Sequence, residues 1–168
     1  SGIRIGTQLM TIARATIKKV GDGTKMRTLD VEALKDESLP GAEHYETYGF
    51  SAVPHVGAEP IIASIGGYHS NPVIVATADR RTRPKARAEG DVTLYHSGGD
   101  EIHFTASGMN IKSAGNPITM SLGGVTFKMS ADGLEITGGT IKHNGKDIGD
   151  THTHTGVEPG PANTGPPA

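Results

Sequence analysis

The sequence predicts an all-β protein in two parts: a small closed sheet, then a thin, repetitive extension that cannot complete its own core. Three observations predict it. Apolar and polar residues alternate in short runs, the period of a half-buried strand, with turn residues between the runs. Glycine supplies 24 of 168 residues, well above its ordinary share of roughly 7%. Leu, Ile, Val and Phe number 7, 14, 9 and 3, and only seven residues are aromatic, so one chain is poor in the side chains that fill a compact interior. The net charge of -2 separates this composition from the highly charged disordered class and gives no sign of a general polyanion binder. The absence of Cys excludes disulfides and thiolate metal sites. No apolar run approaches the roughly 18 residues of a transmembrane helix, and the first residues lack the basic-then-apolar pattern of a signal peptide.

Residues 3–79 read as the barrel part. Residues 3–7 and 10–17 alternate clearly, and residues 26–31 more weakly. Asp22-Gly23 is a tight-turn pair between strands. Residues 29–39 read as a short helix or a loop, ended by Pro40-Gly41. Residues 48–56 and 61–65 are strand-like, Gly66-Gly67 turns the chain, and residues 72–77 form another β-branched run. Five or six short strands in so few residues suggest a small barrel or sandwich, and the size favours an OB-like barrel.

Residues 80–87 (Arg80, Arg81, Arg83, Lys85 and Arg87 around Thr82, Pro84 and Ala86) are a basic run. It reads either as a nucleic-acid contact or as a solvated connector stiffened by Pro84. The scarcity of stacking aromatics favours the connector and no nucleic-acid partner.

The chain changes character near residue 88. Ten glycines punctuate residues 90–139, and between them lie Val92/Leu94, Ile102/Phe104, Met109/Ile111, Ile118/Met120/Leu122, Val125/Phe127/Met129, Leu134/Ile136 and Ile141. Each group puts apolar side chains on one face, while Ser, Thr, Asn, Lys and Glu take the other. One such stripe cannot bury itself. A single-chain solenoid would have few turns; three chains winding round one threefold axis turn every stripe inward and pair their strand edges. A narrow axis admits Ile, Val, Leu and Met more readily than rings, consistent with the low aromatic content.

Asn144-Gly145 is another tight-turn pair, followed by Asp147, Asp150 and the run Thr151-His152-Thr153-His154-Thr155-Gly156. In an extended strand His152 and His154 share a face. Two imidazoles are too few for a stable site, but three chains would bring six, and six nitrogens suit Fe(II) better than four-coordinate Zn(II). The spacing alone is equally that of an exposed polar strand with fortuitous metal affinity. Residues 156–168 hold four prolines and three glycines, which preclude a regular helix or ladder. They read as a tail or as a cap folded over the histidines.

These features together resemble the central spike proteins of contractile-tailed phages, the baseplate assembly protein V family, and most of all the spike of phage Mu and its relatives. The likeness is carried by Gly90-Asp91-Val92-Thr93-Leu94-Tyr95, by the glycine-punctuated strands after it, and by the His-x-His run with its Pro/Gly-rich end. It implies an OB-fold attachment domain (residues 1–88), an intertwined triple-stranded β-helix needle (89–142) and a metal-binding apex (143–168), in a homotrimer. It further implies one iron ion per trimer on His152 and His154. Calcium and chloride are known at related apices, and Asp147 and Asp150 are the nearest candidate calcium ligands.

The function expected from this likeness is mechanical. Sheath contraction would drive the needle through the host outer membrane toward the periplasm, from a virion tail baseplate whose hub proteins hold the OB domain. No enzyme activity and no small-molecule substrate are expected, because Asp79, Glu89, Asp91, Asp100 and Glu101 form no recognisable acid/base motif. A type VI secretion-like spike shares the architecture, and a trimeric receptor-binding fibre or adhesin is the other reading; the absence of aromatics after Phe127 argues against the latter.

Overall fold

The computed structural model describes residues 12–33, 37–65 and 71–156, together with Glu158 and Gly160. Every regular element among them is a strand, as the alternation predicts. The expected strand at residues 3–7, the Gly66-Gly67 turn and most of the Pro/Gly-rich end lie outside the described residues. The chain separates into two units, residues 1–97 with 102–110, and residues 98–101 with 111–168.

Six strands make the first sheet: β1 (Ile12–Arg14), β2 (Thr16–Gly21), β3 (Thr28–Glu32), β4 (Ser38–His44), β5 (Glu59–Ser64) and β6 (Pro72–Ala78). Their order is β1-β5-β6-β4-β3-β2. All pairs are antiparallel except β4 with β6, which is parallel. The two ends of that order, β1 and β2, are one stretch of chain broken only at Ala15. Ala15 N–H donates to the Pro60 carbonyl (3.1 Å), Ile17 N–H to Ala58 (3.0 Å), and Gly57 N–H to Ile17 (2.8 Å). The same stretch thus bonds β3 on one side and the β5 segment on the other, and the sheet curls into a half-barrel. Ile17, Leu29, Val31, Ala42, Ala58, Ile62 and Ile74 fill its interior.

Three expectations are corrected here. Within residues 29–39 most of the described residues are strand: Thr28–Glu32 is β3, and β4 begins at Ser38, while residues 34–36 lie outside the described residues. Pro40-Gly41 does not end an element but forms a bulge inside β4. Leu29 pairs with Ala42 and Val31 with Leu39, so Asp30 faces both Pro40 and Gly41. Proline has no N–H to give the ladder, Gly41 takes a φ of 70°, and its N–H donates to Asp30 Oδ1 at 2.9 Å. Residues 48–56 are also not a strand. Tyr48 and Phe50 stand exposed, so no buried face exists to hold a register there. The loop is held from below by Arg27, whose buried guanidinium binds Asp22 Oδ1 (2.8 Å), Glu46 Oε2 (2.8 Å), the Ala52 carbonyl (3.0 Å) and Ser51 Oγ (3.2 Å).

Beyond the barrel, β7 (Val92–Tyr95), β8 (Glu101–Thr105) and β9 (Gly108–Lys112) form one three-stranded sheet, and β10 (Ile118–Leu122), β11 (Val125–Ser130) and β12 (Gly133–Thr137) another. The turns into and out of β11 and β12 bring two glycines back to back. A methyl group on Gly138 (φ 73°) would overlap the Gly124 carbonyl, and one on Gly139 would press Val125 Cγ2 at 3.1 Å. Last comes a hairpin, β13 (Lys142–His143) and β14 (Lys146–Asp147). Its turn residues Asn144 and Gly145 have φ of 50° and 80°, the left-handed pair that a two-residue turn of matching twist requires.

Candidate functional site

Two features stand out: an uncovered apolar face and the histidine-bearing end. In the β10-β11-β12 sheet, Ile118 pairs with Met129 and Met129 with Leu134; Met120 pairs with Phe127 and Phe127 with Ile136; Leu122 pairs with Val125. Directly paired antiparallel residues share a face. One face therefore carries eight apolar side chains, and the opposite face carries Thr119, Ser121, Thr126, Lys128, Ser130, Glu135 and Thr137. None of the eight is buried; Leu122 is 85% exposed and Leu134 59%. Patches of this kind on soluble proteins mark interaction sites.

At the far end, the His152 and His154 rings stand 5.1 Å apart at an interplanar angle of 79°. Residues 151–156 form no strand, so the i, i+2 alternation that predicted their proximity is not what produces it. A turn does. The Gly149 carbonyl accepts the His152 N–H at 3.3 Å and also receives His152 Nδ1. A carbonyl only accepts, so Nδ1 carries a proton, and in the neutral tautomer this leaves the lone pair on Nε2. Asp147 closes the same turn, with Oδ1 accepting Gly149 N–H and Oδ2 accepting Thr151 Oγ–H, both at 2.8 Å. These bonds, the backbone one foremost, hold the Asp147 carboxyl below the usual carboxylate range. Asp150 is exposed.

This donor set suits a metal in part. Two imidazole rings stand side by side, and with Nδ1 on the Gly149 carbonyl the ring atom His152 has left to offer is Nε2. Among the described residues of one chain, however, no group of three His, Cys, Asp or Glu side chains gathers. These two rings alone do not make up a ligand set of three.

The basic run is drawn into the barrel's own chemistry. Arg80 pairs with Glu59. Arg81 grips Asp79 through Nε (2.8 Å) and Nη2 (2.7 Å), which holds the Asp79 carboxyl down at about 2. Asp79 lines a cleft with His55, Val56, Arg81, Thr82 and Ser97, but an ionised carboxylate committed to arginine is a poor general acid or base. Around β7 and β8, Arg87 donates to His103 Nδ1 (3.3 Å), so His103 Nε2–H donates to Asp91 Oδ2 (2.9 Å), which also accepts Ala88 N–H (3.2 Å). Neither this cluster nor the Arg27 clamp has a local sequence signal, since their partners lie up to 25 residues apart.

Residues 14–81 match the family described as Bacteriophage Mu Gp45, N-terminal, and residues 150–168 match the GpV apex motif. The chain is 36% identical over 99 residues to the baseplate puncturing device gp45 of Escherichia phage Mu, an alignment covering 59% of this chain and about half (50%) of that protein's length. It is 28% identical over 165 residues to the Mu-like prophage FluMu protein gp45 of Haemophilus influenzae, covering 90% of each.

Proposed function

We propose that this chain, similar to the phage Mu Gp45 proteins in its N-terminal segment and to the GpV apex motif at residues 150–168, is the trimeric, membrane-piercing spike of a phage tail baseplate. The observation that carries this reading is the uncovered face of β10-β11-β12. Eight apolar side chains on one face and polar ones on the other fit a strand layer whose partner is another copy of itself. Three copies would stack Met120, Phe127 and Ile136 in one layer, and Ile118, Met129 and Leu134 in the next. Burying such layers makes the needle stiff, because a close-packed interior transmits load with little compression.

The barrel is the attachment domain. Counting β1 and β2 as one strand, its sequence of neighbours and its single parallel pair are those expected of an OB-type five-stranded barrel. Its partners are the hub proteins of the baseplate, with Arg27 holding the 45–58 loop in place.

At the apex, His152 and His154 of three copies would hold one iron ion on the axis. A shell of six imidazoles leaves no open position, so the ion would crosslink three chain ends rather than activate water. His152 contributes a ring whose free nitrogen is already set by the Gly149 carbonyl. The spike then works mechanically: sheath contraction pushes the crosslinked tip into the host outer membrane.

Light scattering with elemental analysis of the same sample tests this. The expected result is a mass of three chains and one iron per three chains. A stable, folded monomer at micromolar concentration would sink the trimer, and iron far below one per three chains would sink the apex.

A further inference from the structure

The hairpin, the aspartate that ends it and the first histidine are linked by an unbroken chain of hydrogen bonds. Asp147 is the last residue of β14, tied to β13 through its pairing with Lys142 and through Ile148 N–H on the Ile141 carbonyl at 2.8 Å. From that anchored position its two oxygens each take one donor, Gly149 N–H and Thr151 Oγ–H. Gly149 is thereby oriented so that its carbonyl meets both the backbone N–H and the ring Nδ1 of His152. The carboxylate also constrains the intervening residue: a Cβ on Gly149 would lie 3.2 Å from Asp147 Oδ1.

We propose that Asp147 is the positioning residue of the apex: acting through Gly149 and Thr151, it sets the ring orientation and the Nδ1–H tautomer of His152, and so presents Nε2 to the metal. This rests on the reading of His152 as a ligand. It assigns Asp147 a role different from binding calcium: each of its oxygens accepts a hydrogen bond that shapes the turn. Metal-bound histidines commonly depend on such a partner at the other ring nitrogen, and loss of the outer partner typically lowers metal affinity roughly 10- to 100-fold. Here the partner is a backbone carbonyl, and the side chain that aims it lies five residues before the ligand.

The test compares full-length wild type, Asp147→Ala and Asp147→Asn. Iron affinity is measured by competition with a chelator, and the His152 tautomer by ring nitrogen chemical shifts in metal-free protein at a pH where imidazole is neutral. Wild type should show Nδ1–H at His152. Asp147→Ala should lose that tautomer preference and roughly 10- to 100-fold in iron affinity, with the His103 ring signals unchanged. Asp147→Asn keeps an acceptor for Gly149 N–H and should recover most of both, which separates positioning from a general loss of folding. Wild-type affinity and tautomer in Asp147→Ala would overturn the proposal. So would calcium binding by wild type that Asp147→Ala abolishes while iron and tautomer stay unchanged. If wild type takes up no iron at all, the apex reading fails, and the tautomer measurement still decides the role of Asp147.

Discussion

The barrel and the proposed needle use the same element in opposite ways. Every buried residue among those described lies between Ala15 and Ile74; from Val92 to Gly156 there is none. In the barrel the sheet bends until its apolar face meets itself, and residues such as Ile17, Leu29 and Ile74 are fully enclosed within one chain. After it come short three-stranded sheets joined by glycine turns, and there Met120, Leu122 and Leu134 stay open. Strand alternation alone therefore does not decide whether a chain folds by itself. The number of strands available to curl the sheet does.

The largest expected effect comes from charging the open face. In the proposed trimer Phe127→Lys would put three like charges into one layer, and an unpaired buried charge costs several kcal/mol. Sedimentation should show dissociation to single chains whose barrel remains folded. Thr126→Lys, one residue away on the polar face, should change stability by no more than about 0.5 kcal/mol. Equal damage from the two would erase the distinction between faces.

Next in size is a cavity in the barrel. Leu29→Ala removes a fully buried side chain and should cost about 2–5 kcal/mol. Denaturant unfolding should show the loss in the barrel transition, with the sedimenting mass unchanged. A shifted mass would mean that the two regions do not stabilise themselves separately.

The smallest effect is acid sensitivity confined to the barrel. Burial lowers the pKa of His44; Glu46 opposes the shift and Arg27 adds to it, while its Nδ1 has no hydrogen-bond partner. The unfolded chain, with an ordinary imidazole near 6.5, then binds more protons than the folded one. Barrel stability should be complete above that pH and decline as pH falls below it. Thermal melting between pH 8 and 5 checks this, and an unchanged or rising barrel midpoint on acidification would contradict it.

Much of this was legible in the sequence. The period-2 groups of the needle mark β7 to β12, because a strand with one apolar face writes its register directly into the alternation. Asn144-Gly145 marks the last hairpin for an equally local reason, the left-handed φ of both turn residues. What was missed depended on distant partners. Pro40-Gly41 looks like a terminator until Asp30, on the neighbouring strand, supplies the acceptor that makes it a bulge. Residues 48–56 look strand-like because nothing nearby announces that Arg27 holds them as a loop. At the apex, spacing correctly put His152 and His154 together but through a strand; the turn that brings them together depends on Asp147 and Gly149, whose roles follow from hydrogen bonds and not from periodicity.

The paired glycines at the turns around β11 and β12 bear on how such a needle can change over generations. Along the apolar face one aliphatic residue can replace another, and along the polar face almost any small or charged residue is tolerable, so both faces are open to drift. Gly138 is not, being excluded from substitution twice over: by its left-handed φ and by the Gly124 carbonyl that lies where a side chain would begin. Lengthening the needle by duplicating a strand unit would have to copy this contact with it. The natural module for growth is thus the strand together with its glycine turn, and lineages of different needle length should differ by whole units of that kind rather than by single residues.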